Sequence, residues 1–463
     1  MTFVILGHCC KDATCVQVCP QNCIRPTPSQ PEFATVEHLY IDPDSCIDCS
    51  ACADACPAGA IKPATALTDA EHEYSQRSSE YFQALSAPSF FDQPGRPDIP
   101  HALPRSDAPF RVAMIGAGSA AMYTVRELLR RSSTVQITVF EQEREVGGLL
   151  RTAVSPDNVG IRSMSRMFDV PFADPRVRTR LGIRVGAEVS IADLRRRFDA
   201  VVLATGAAVP RQLATSAPPV IHHALPLLEQ VNASSVGGGT ARILAGPTVA
   251  IAGGGNVAID VALAIARNRV TTTGGLSVRR LIVFTRSSVL HPSFTFSALY
   301  ELTESDIALT IDTAGIDIVH KHADPLQRLL TERAHSAVAP GTAQLSVHMS
   351  FGNEVTEICP AGGRARVATA AGTYVVDSIV IAAGFTSAPL PGIMVHPNGA
   401  LADERGRVVA PDTGAPIEGL YAVGWAKRGA TGGVGDNRRC AAQTVDQIIR
   451  DRANLLGHSI ARE

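Results

Sequence analysis

Cys46, Cys49, Cys52 and Cys56, with Pro57 after the last, run in the order Cys-x2-Cys-x2-Cys-x3-Cys-Pro. No other feature of the 463 residues limits the fold as tightly. Two-residue gaps let one tight loop present three sulfurs to a single 4Fe–4S cube, while the fourth Cys crosses to a second cluster. That crossing demands a partner set. Cys15-x3-Cys19-Pro20 supplies its end, with Cys9 six residues before Cys15. A zinc knuckle or a disulfide framework suits tandem runs ending in Cys-Pro poorly.

The first run departs from the pattern, reading Cys9-x2-Asp12-x2-Cys15-x3-Cys19-Pro20. Asp12 stands where a thiolate belongs. The crossing rule groups Cys19 with Cys46, Cys49 and Cys52 around one 4Fe–4S cluster, and Cys56 with Cys9 and Cys15 around the other. The fourth iron of the second group has only the Asp12 carboxylate or no ligand. A carboxylate holds such iron less well than a thiolate, so this cluster is expected as oxygen-ligated 4Fe–4S or as 3Fe–4S. Cys10 and Cys23 have no cluster role in this scheme, although Cys10 can displace its neighbour Cys9.

Nine of the 11 cysteines precede residue 57, and only Cys359 and Cys440 follow. A secreted disulfide scaffold would spread them or place them behind a signal peptide. The stretch Met1–His8 has no basic n-region, and no segment approaches the roughly 18 apolar residues of a membrane span. The expectation is a cytoplasmic protein with no membrane partner. The net charge of −2 argues against nucleic acid as the main partner. Residues 1–62 hold three Lys/Arg and seven Asp/Glu, a net of −4, which leaves +2 on the remainder. An acidic electron carrier beside a slightly basic body suits docking by complementary charge.

The length accommodates about three domains. Residues 67–85 are rich in helix formers, and the six prolines of 86–109 read as a semi-rigid linker. From Phe110 onward apolar strands alternate with Gly turns and helical stretches, the pattern of a parallel α/β sheet. Strand Val112–Ile115 leads into Gly116-Ala117-Gly118-Ser119-Ala120-Ala121, then a helix, then a strand ending at Glu141. Gly116 permits the tight turn, Gly118 lets the backbone approach a pyrophosphate, and Ala121 allows helix to pack on strand. The helix N-terminus attracts phosphate, and Glu141 is placed to accept from a ribose. Gly147-Gly148-Leu149 follows the acid at once, a flavoprotein habit that favours FAD over NAD at this turn.

A second unit repeats the first. Strand Thr248–Ala252 runs into Gly253-Gly254-Gly255-Asn256-Val257, a helix, and a strand ending at Thr285-Arg286, where a nicotinamide cofactor's adenosine ribose would lie. The strand ends Leu203-Ala204-Thr205-Gly206 and Ile381-Ala382-Ala383-Gly384 resemble each other and read as crossings between an FAD domain and an inserted NAD(P) domain. No Cys-x4-Cys pair follows the first turn, which argues against disulfide reduction. The fold class is therefore α/β: two Rossmann-like dinucleotide-binding domains preceded by a small α+β two-cluster domain. The boundaries fall at 1–62 (clusters), 63–109 (helix and linker), 110–208 with 385–463 (FAD) and 209–384 (NAD(P)).

Residues 110–463 resemble the adrenodoxin reductase family of FAD-dependent NADPH–ferredoxin reductases, and nearly the whole chain is similar to the actinobacterial type with a ferredoxin fused in front. The segment Tyr421-Ala422-Val423-Gly424-Trp425-Ala426-Lys427-Arg428-Gly429-Ala430-Thr431-Gly432 carries the likeness most specifically. The resemblance implies that Gly424, Trp425 and the Gly432-Gly433-Val434 backbone lie at the flavin, with further FAD contacts at Ala120, Glu141, Leu149 and Val189. It also implies a nicotinamide-nucleotide site at Gly254, Gly255, Asn256 and Val257, with Gly432 near the nicotinamide.

Three departures accompany it. The family's arginine pair for the 2′-phosphate reads Arg286-Ser287, a downstream glutamate falls on Ala298, and the family's Ala-Pro-Asp-His reads Ser155-Pro156-Asp157-Asn158. The acidic partner of that lost histidine is kept as Glu301. The implied activity passes electrons from NADPH or NADH through FAD to the clusters and on to an external acceptor such as a monooxygenase or ferredoxin. The alternative is an iron–sulfur flavoenzyme acting on a small organic substrate at the flavin. With only Arg286 left to pair a 2′-phosphate, discrimination for NADPH should be small. One lost charge-assisted hydrogen bond costs about 1.5–3 kcal/mol, one to two orders of magnitude in affinity. Ser287→Arg should tighten NADPH binding by about that factor and leave NADH unchanged, as measured by titration of each nucleotide.

Overall fold

The computed structural model describes residues 2–85, 109–158, 161–162, 164–213, 215, 220–236, 238–289, 291–312, 330, 344–401 and 403–456. Residues 86–108 of the expected linker lie outside them.

The N-terminal unit is closed by its ends. Strand β1 (Phe3–Ile5) pairs antiparallel with a strand at Ile61–Pro63. Helix α1 (Thr14–Val18) and helix α2 (Ala51–Ala55) carry the two cysteine runs. Each is entered through two non-glycine residues in the left-handed region: Lys11 (φ 52°) and Ala13 (φ 59°) before α1, Asp48 (φ 58°) and Ser50 (φ 60°) before α2. Each ends at an extended cysteine, Cys19 (φ −71°, ψ 114°) and Cys56 (φ −73°, ψ 113°). All three pairs are 37 residues apart (48 − 11, 50 − 13, 56 − 19), so the unit is an internal repeat that places Asp12 opposite Cys49. Left-handed backbone costs a residue with a Cβ about 1–2 kcal/mol. Its appearance twice at matched positions marks loops bent for a purpose.

Strand β1 alternates so that both faces are buried. Phe3 and Ile5 pack inward with Cys15, Ile24 and Ile41, whereas Val4 and Leu6 join the hydrophobic core of the C-terminal part. Helix α3 (His72–Ala84), within the helical stretch expected over 67–85, extends this contact. Its Tyr74 is fully buried, edge-on to Tyr300 with ring centroids 5.8 Å apart.

Two sheets form the body, the first parallel except for two antiparallel pairings at one edge and the second wholly parallel. The first has seven strands in the order Asp403–Glu404, Arg407–Val409, Pro416–Ala422, Ala200–Leu203, Phe110–Ile115, Val135–Glu141, Val177–Leu181. The second has six, in the order Ile221–His223, Ser378–Ile381, Thr248–Ala252, Arg280–Thr285, Leu345–Phe351, Ile307–Ile311. Their central strands are apolar runs buried on both faces, as parallel strands covered by helices must be. Helix α4 (Ser119–Arg131) follows the first turn, and helix α5 (Asn256–Ala266) follows the second. Helix α6 (Phe296–Thr303) lies against α5, and helix α7 (Asp436–Leu455) against α4. The chain crosses between the sheets twice, and the crossings pair with each other: Val209–Pro210 runs antiparallel to Phe385–Thr386. Tyr74→Ala should cost about 3–5 kcal/mol by leaving a ring-sized hole between α3 and α6. Tyr74→Phe, which keeps the ring, should stay within about 1 kcal/mol in denaturant unfolding.

Candidate functional site

Both glycine turns are forced by the same close approach. Gly116 has φ +98°, and a Cβ there would sit 2.5 Å from the Ala204 carbonyl oxygen. Gly253 has φ +123°, and its Cβ would sit 2.1 Å from the Ala382 oxygen. Each turn therefore presses on the end of the neighbouring strand, at the two segments whose sequences resemble each other. The next glycines behave differently. A Cβ on Gly118 or Gly255 would meet no atom within 4 Å, which leaves each helix N-terminus open to a phosphate. Thr205 Oγ1, just after Ala204, is buried with no hydrogen-bond partner, and Gly206 beside it turns with φ +69°. Glu141 is buried, and its carboxylate accepts from the N–H groups of Ala117 (2.6 Å) and Glu143 (2.9 Å). The acid thus braces the turn itself.

Three segments converge over the first turn. Gly148 approaches Gly118, so that a Cβ on it would lie 3.1 Å from the Gly118 Cα, and Leu149 packs into the shared core beside it. Gly424, with φ +69°, lies against Ala120, where a Cβ would come within 2.4 Å of the alanine's own. Asn437 at the start of α7 donates to Ser119 Oγ (2.8 Å). Trp425 donates from Nε1 to the Gly432 carbonyl (3.3 Å), and Gly433 N–H donates to Asp436 Oδ2 (2.8 Å). The strip 424–434 is thereby folded back on itself above the N-termini of α4 and α7, with Val434 packed into the first sheet's core. Val189 is half-buried against the cluster of Phe140 and Leu194, which also takes in Ala426 of the strip.

At the second turn, Gly254 packs on Thr285, whose Oγ1 would lie 2.4 Å from an added Cβ. Asn256 Oδ1 accepts from the Thr295 N–H (2.8 Å), which ties the turn to α6, and Val257 packs into the core. Arg286 is exposed and has Glu354 at 3.7 Å, while Ser287 hydrogen-bonds Thr285 (2.8 Å). Ala298 is buried on α6, so no acidic group faces out from that position.

The cysteines gather into two groups. Cys19, Cys46, Cys49 and Cys52 line one concavity of about 300 Å³, with Cys23 at 3.4 Å from Cys19. Cys9, Cys10, Asp12, Cys15 and Cys56 line another of about 280 Å³. Among the described residues no three His, Cys, Asp or Glu side chains converge tightly enough for a single ion. Several cysteines lining each concavity, rather than three side chains closed on one ion, suit a polynuclear cluster. Backbone N–H groups point at the sulfurs, Lys11 to Cys9 (3.4 Å) and Ala60 to Cys56 (3.3 Å). Burial pushes the Cys9 and Cys52 thiols up to about 11, so these sulfurs stay protonated unless a metal centre replaces the protons. Asp12 is buried too. Its Oδ1 accepts from Thr14 N–H (2.9 Å) and its Oδ2 from the Tyr123 hydroxyl (2.8 Å).

A further acidic group, Asp260, was not singled out from the sequence. It is the only charged residue in the 11-residue helix α5, and that isolation in an apolar helix is the signal that marks it. Its Oδ1 accepts from Ser155 N–H (3.1 Å) and Asn158 Nδ2 (3.3 Å). Asp157 alongside accepts from Arg269 in hydrogen bonds of 2.6, 2.8 and 3.1 Å. The segment 155–158 is thus stitched to the second sheet's helices. Burial raises the Asp260 carboxyl to about 7, against those two donors, and burial also raises Glu301 nearby. A carboxyl whose folded value lies above its unfolded 3.8 stabilises the fold fully below that pH. The contribution is lost as pH rises through about 7. Asp260→Asn cannot ionise, so its stability relative to the parent should climb between about pH 4 and 7, by at most about 4 kcal/mol, and then level off. Unfolding midpoints of both proteins across that range check this.

Comparison with known proteins agrees with this geometry. Residues 110–430 match the family model described as pyridine nucleotide-disulphide oxidoreductase, and residues 39–62 match a 4Fe-4S binding domain. A probable ferredoxin/ferredoxin–NADP reductase of Mycobacterium tuberculosis is 33% identical, covering 97% of this chain and 84% of that protein. Cindoxin reductase of Citrobacter braakii is 31% identical, covering 74% of this chain and 78% of that one. The solved structure of Mycobacterium tuberculosis FprA in complex with NADPH superposes with a TM-score of 0.61 at 25% identity, covering 77% of this chain and 87% of FprA. The chain belongs to the pyridine nucleotide-disulphide oxidoreductase family, as an oxidoreductase of the ferredoxin/ferredoxin–NADP reductase type with its iron–sulfur domain at the N-terminal end.

Proposed function

We propose that the protein takes hydride from NADPH or, with little discrimination, NADH, and delivers single electrons through two iron–sulfur clusters to an external acceptor protein. One observation supports the reading above the others. The cysteine groups and both glycine turns belong to one packed body, because Val4, Leu6 and Tyr74 share a core with the second sheet and Leu149, Ala153 and Trp425 beside the first turn join the same core.

FAD, when bound, supplies the exchange between a hydride and single electrons. Gly116, Gly118, Ala120 and Ala121 would hold its pyrophosphate at α4, Glu141 its ribose, and Gly148, Leu149, Trp425 and Gly432–Val434 its ring. Gly254–Val257 would hold the second nucleotide, with Arg286 as a cation for a 2′-phosphate. Asn158 offers no ring nitrogen to carry a proton, so its part is to fix Asp260. Asp260 and Glu301, both raised by burial, are the groups able to hold a proton there. Cys19, Cys46, Cys49 and Cys52 would ligate one 4Fe–4S cluster. Cys9, Cys15 and Cys56 would ligate the other, with Asp12 as an oxygen ligand or with three irons only. Asp12 accepts on both oxygens, so an iron there would share the carboxylate with Thr14 N–H and the Tyr123 hydroxyl.

Anaerobic mixing with NADPH should bleach the flavin within seconds; failure with both nucleotides would favour the organic-substrate alternative. Electron paramagnetic resonance of the air-oxidised protein should show a 3Fe–4S signal, and Asp12→Cys should abolish it. Two all-cysteine 4Fe–4S clusters in the untouched protein would refute the assignment.

A further inference from the structure

We propose that electrons enter the iron–sulfur domain at the Cys9–Cys15–Cys56 site and leave from the Cys19–Cys46–Cys49–Cys52 site, with Gly435, Tyr123 and Arg438 as the positioning residues that set this order. The proposal rests on the function above and adds to it a direction and three residues.

Gly435 has φ −60° and ψ −34°, a helical conformation open to any residue. A Cβ there would nevertheless lie 2.0 Å from the Cys10 carbonyl oxygen and 3.0 Å from both Lys11 C and Asp12 N. Glycine is required because the backbone of the Cys9–Cys15 loop rests directly on the start of α7. Three residues on, Arg438 Nη1 donates to the Asp12 carbonyl (2.6 Å) and to Thr14 Oγ1 (3.2 Å). From the other side Tyr123 of α4 donates to Asp12 Oδ2 (2.8 Å), with both side chains buried. The two helices that clamp this loop are those whose N-termini underlie the strip 424–434, and Gly435 follows Val434 directly.

The matching loop, 37 residues later (48 − 11), has the opposite setting. Asp48 and Cys49 are exposed, and Ile47 is 56% exposed. Two halves of one repeat therefore present one site to the flavin domain and the other to solvent. Transfer of single electrons weakens steeply with separation, so the clamped site is the receiver. The balance closes without another reagent. NADPH and two oxidised clusters give NADP+, two clusters each reduced by one electron, and one proton. The first electron moves on to the exposed site and frees the clamped one for the second.

Tyr123→Phe, Arg438→Gln, Arg438→Lys and Gly435→Ala test the seat in the FAD- and cluster-loaded protein. Hydrogen exchange without nucleotide should show amides 10–14 losing protection in the Phe, Gln and Ala variants. Arg438→Lys, which can still donate to the Asp12 carbonyl, should keep most of it. After anaerobic mixing with NADPH, flavin bleaching should keep the parental rate while cluster reduction slows at least several-fold, as the released loop lengthens the transfer distance. Freeze-quenched parent protein should show the Cys9–Cys15–Cys56 signal reduced first. Parental cluster reduction in variants whose loop has been released would overturn the proposal. So would unchanged exchange in all of them, or first reduction at the other site. Tyr123→Phe removes one oxygen atom and keeps the test decisive if Gly435→Ala does not fold. Failure of the functional reading is distinct: NADPH would not bleach the parental flavin, and the exchange measurement would still decide the seat.

Discussion

Everything in the body depends on two places where backbone meets backbone too closely for a Cβ. At Gly116 and Gly253 the chain turns off a buried strand within van der Waals range of the next strand's end, at Ala204 and Ala382. The left-handed φ and the missing side chain let a helix begin immediately, with its first N–H groups facing outward. Any larger residue would push helix from strand and spoil both the packing and the phosphate cradle. Since the same contact recurs at each sheet, the two nucleotide turns stand at equivalent points of their units.

The polar joints are built on that frame. The segment 155–158 leaves the first sheet and anchors on the second through Asp157–Arg269 and through Asp260. A buried carboxyl keeps its proton more readily than a surface one. The amide of Asn158 serves Asp260 as a donor, where a histidine would add a titrating ring. The joint between the sheets is thereby held by a neutral amide.

The iron–sulfur unit shows how two halves of one repeat come to sit in different surroundings. Its halves share left-handed residues, helix lengths and terminal cysteines, so their local physics is the same. Substitution of Asp12 for the cysteine expected opposite Cys49 breaks the symmetry once. Contact with α4 and α7 breaks it again, by burying one loop and leaving the other in solvent.

Much of this was legible in the residues. Cysteine spacing identified the grouping across the repeat, because sulfur geometry around a cluster permits few arrangements. Glycine spacing with flanking apolar runs identified both turns, because only a strand–turn–helix satisfies that pattern. The oddity of Asp12 was visible in the same way. What the sequence could not reveal were the partners supplied from far along the chain. Tyr123 and Arg438 lie 111 and 426 residues from Asp12 and carry no motif. Asp260 reads as an interruption of an apolar helix until Ser155 and Asn158 arrive from the other sheet. Gly435 reads as an unremarkable helix-start glycine until Cys10 is packed on it. Short-range chemistry is written in spacing, since it depends on a few consecutive dihedrals. Which surfaces meet is decided by the packing of whole sheets and helices, and there the roles of Asp12, Asp260 and Gly435 were set.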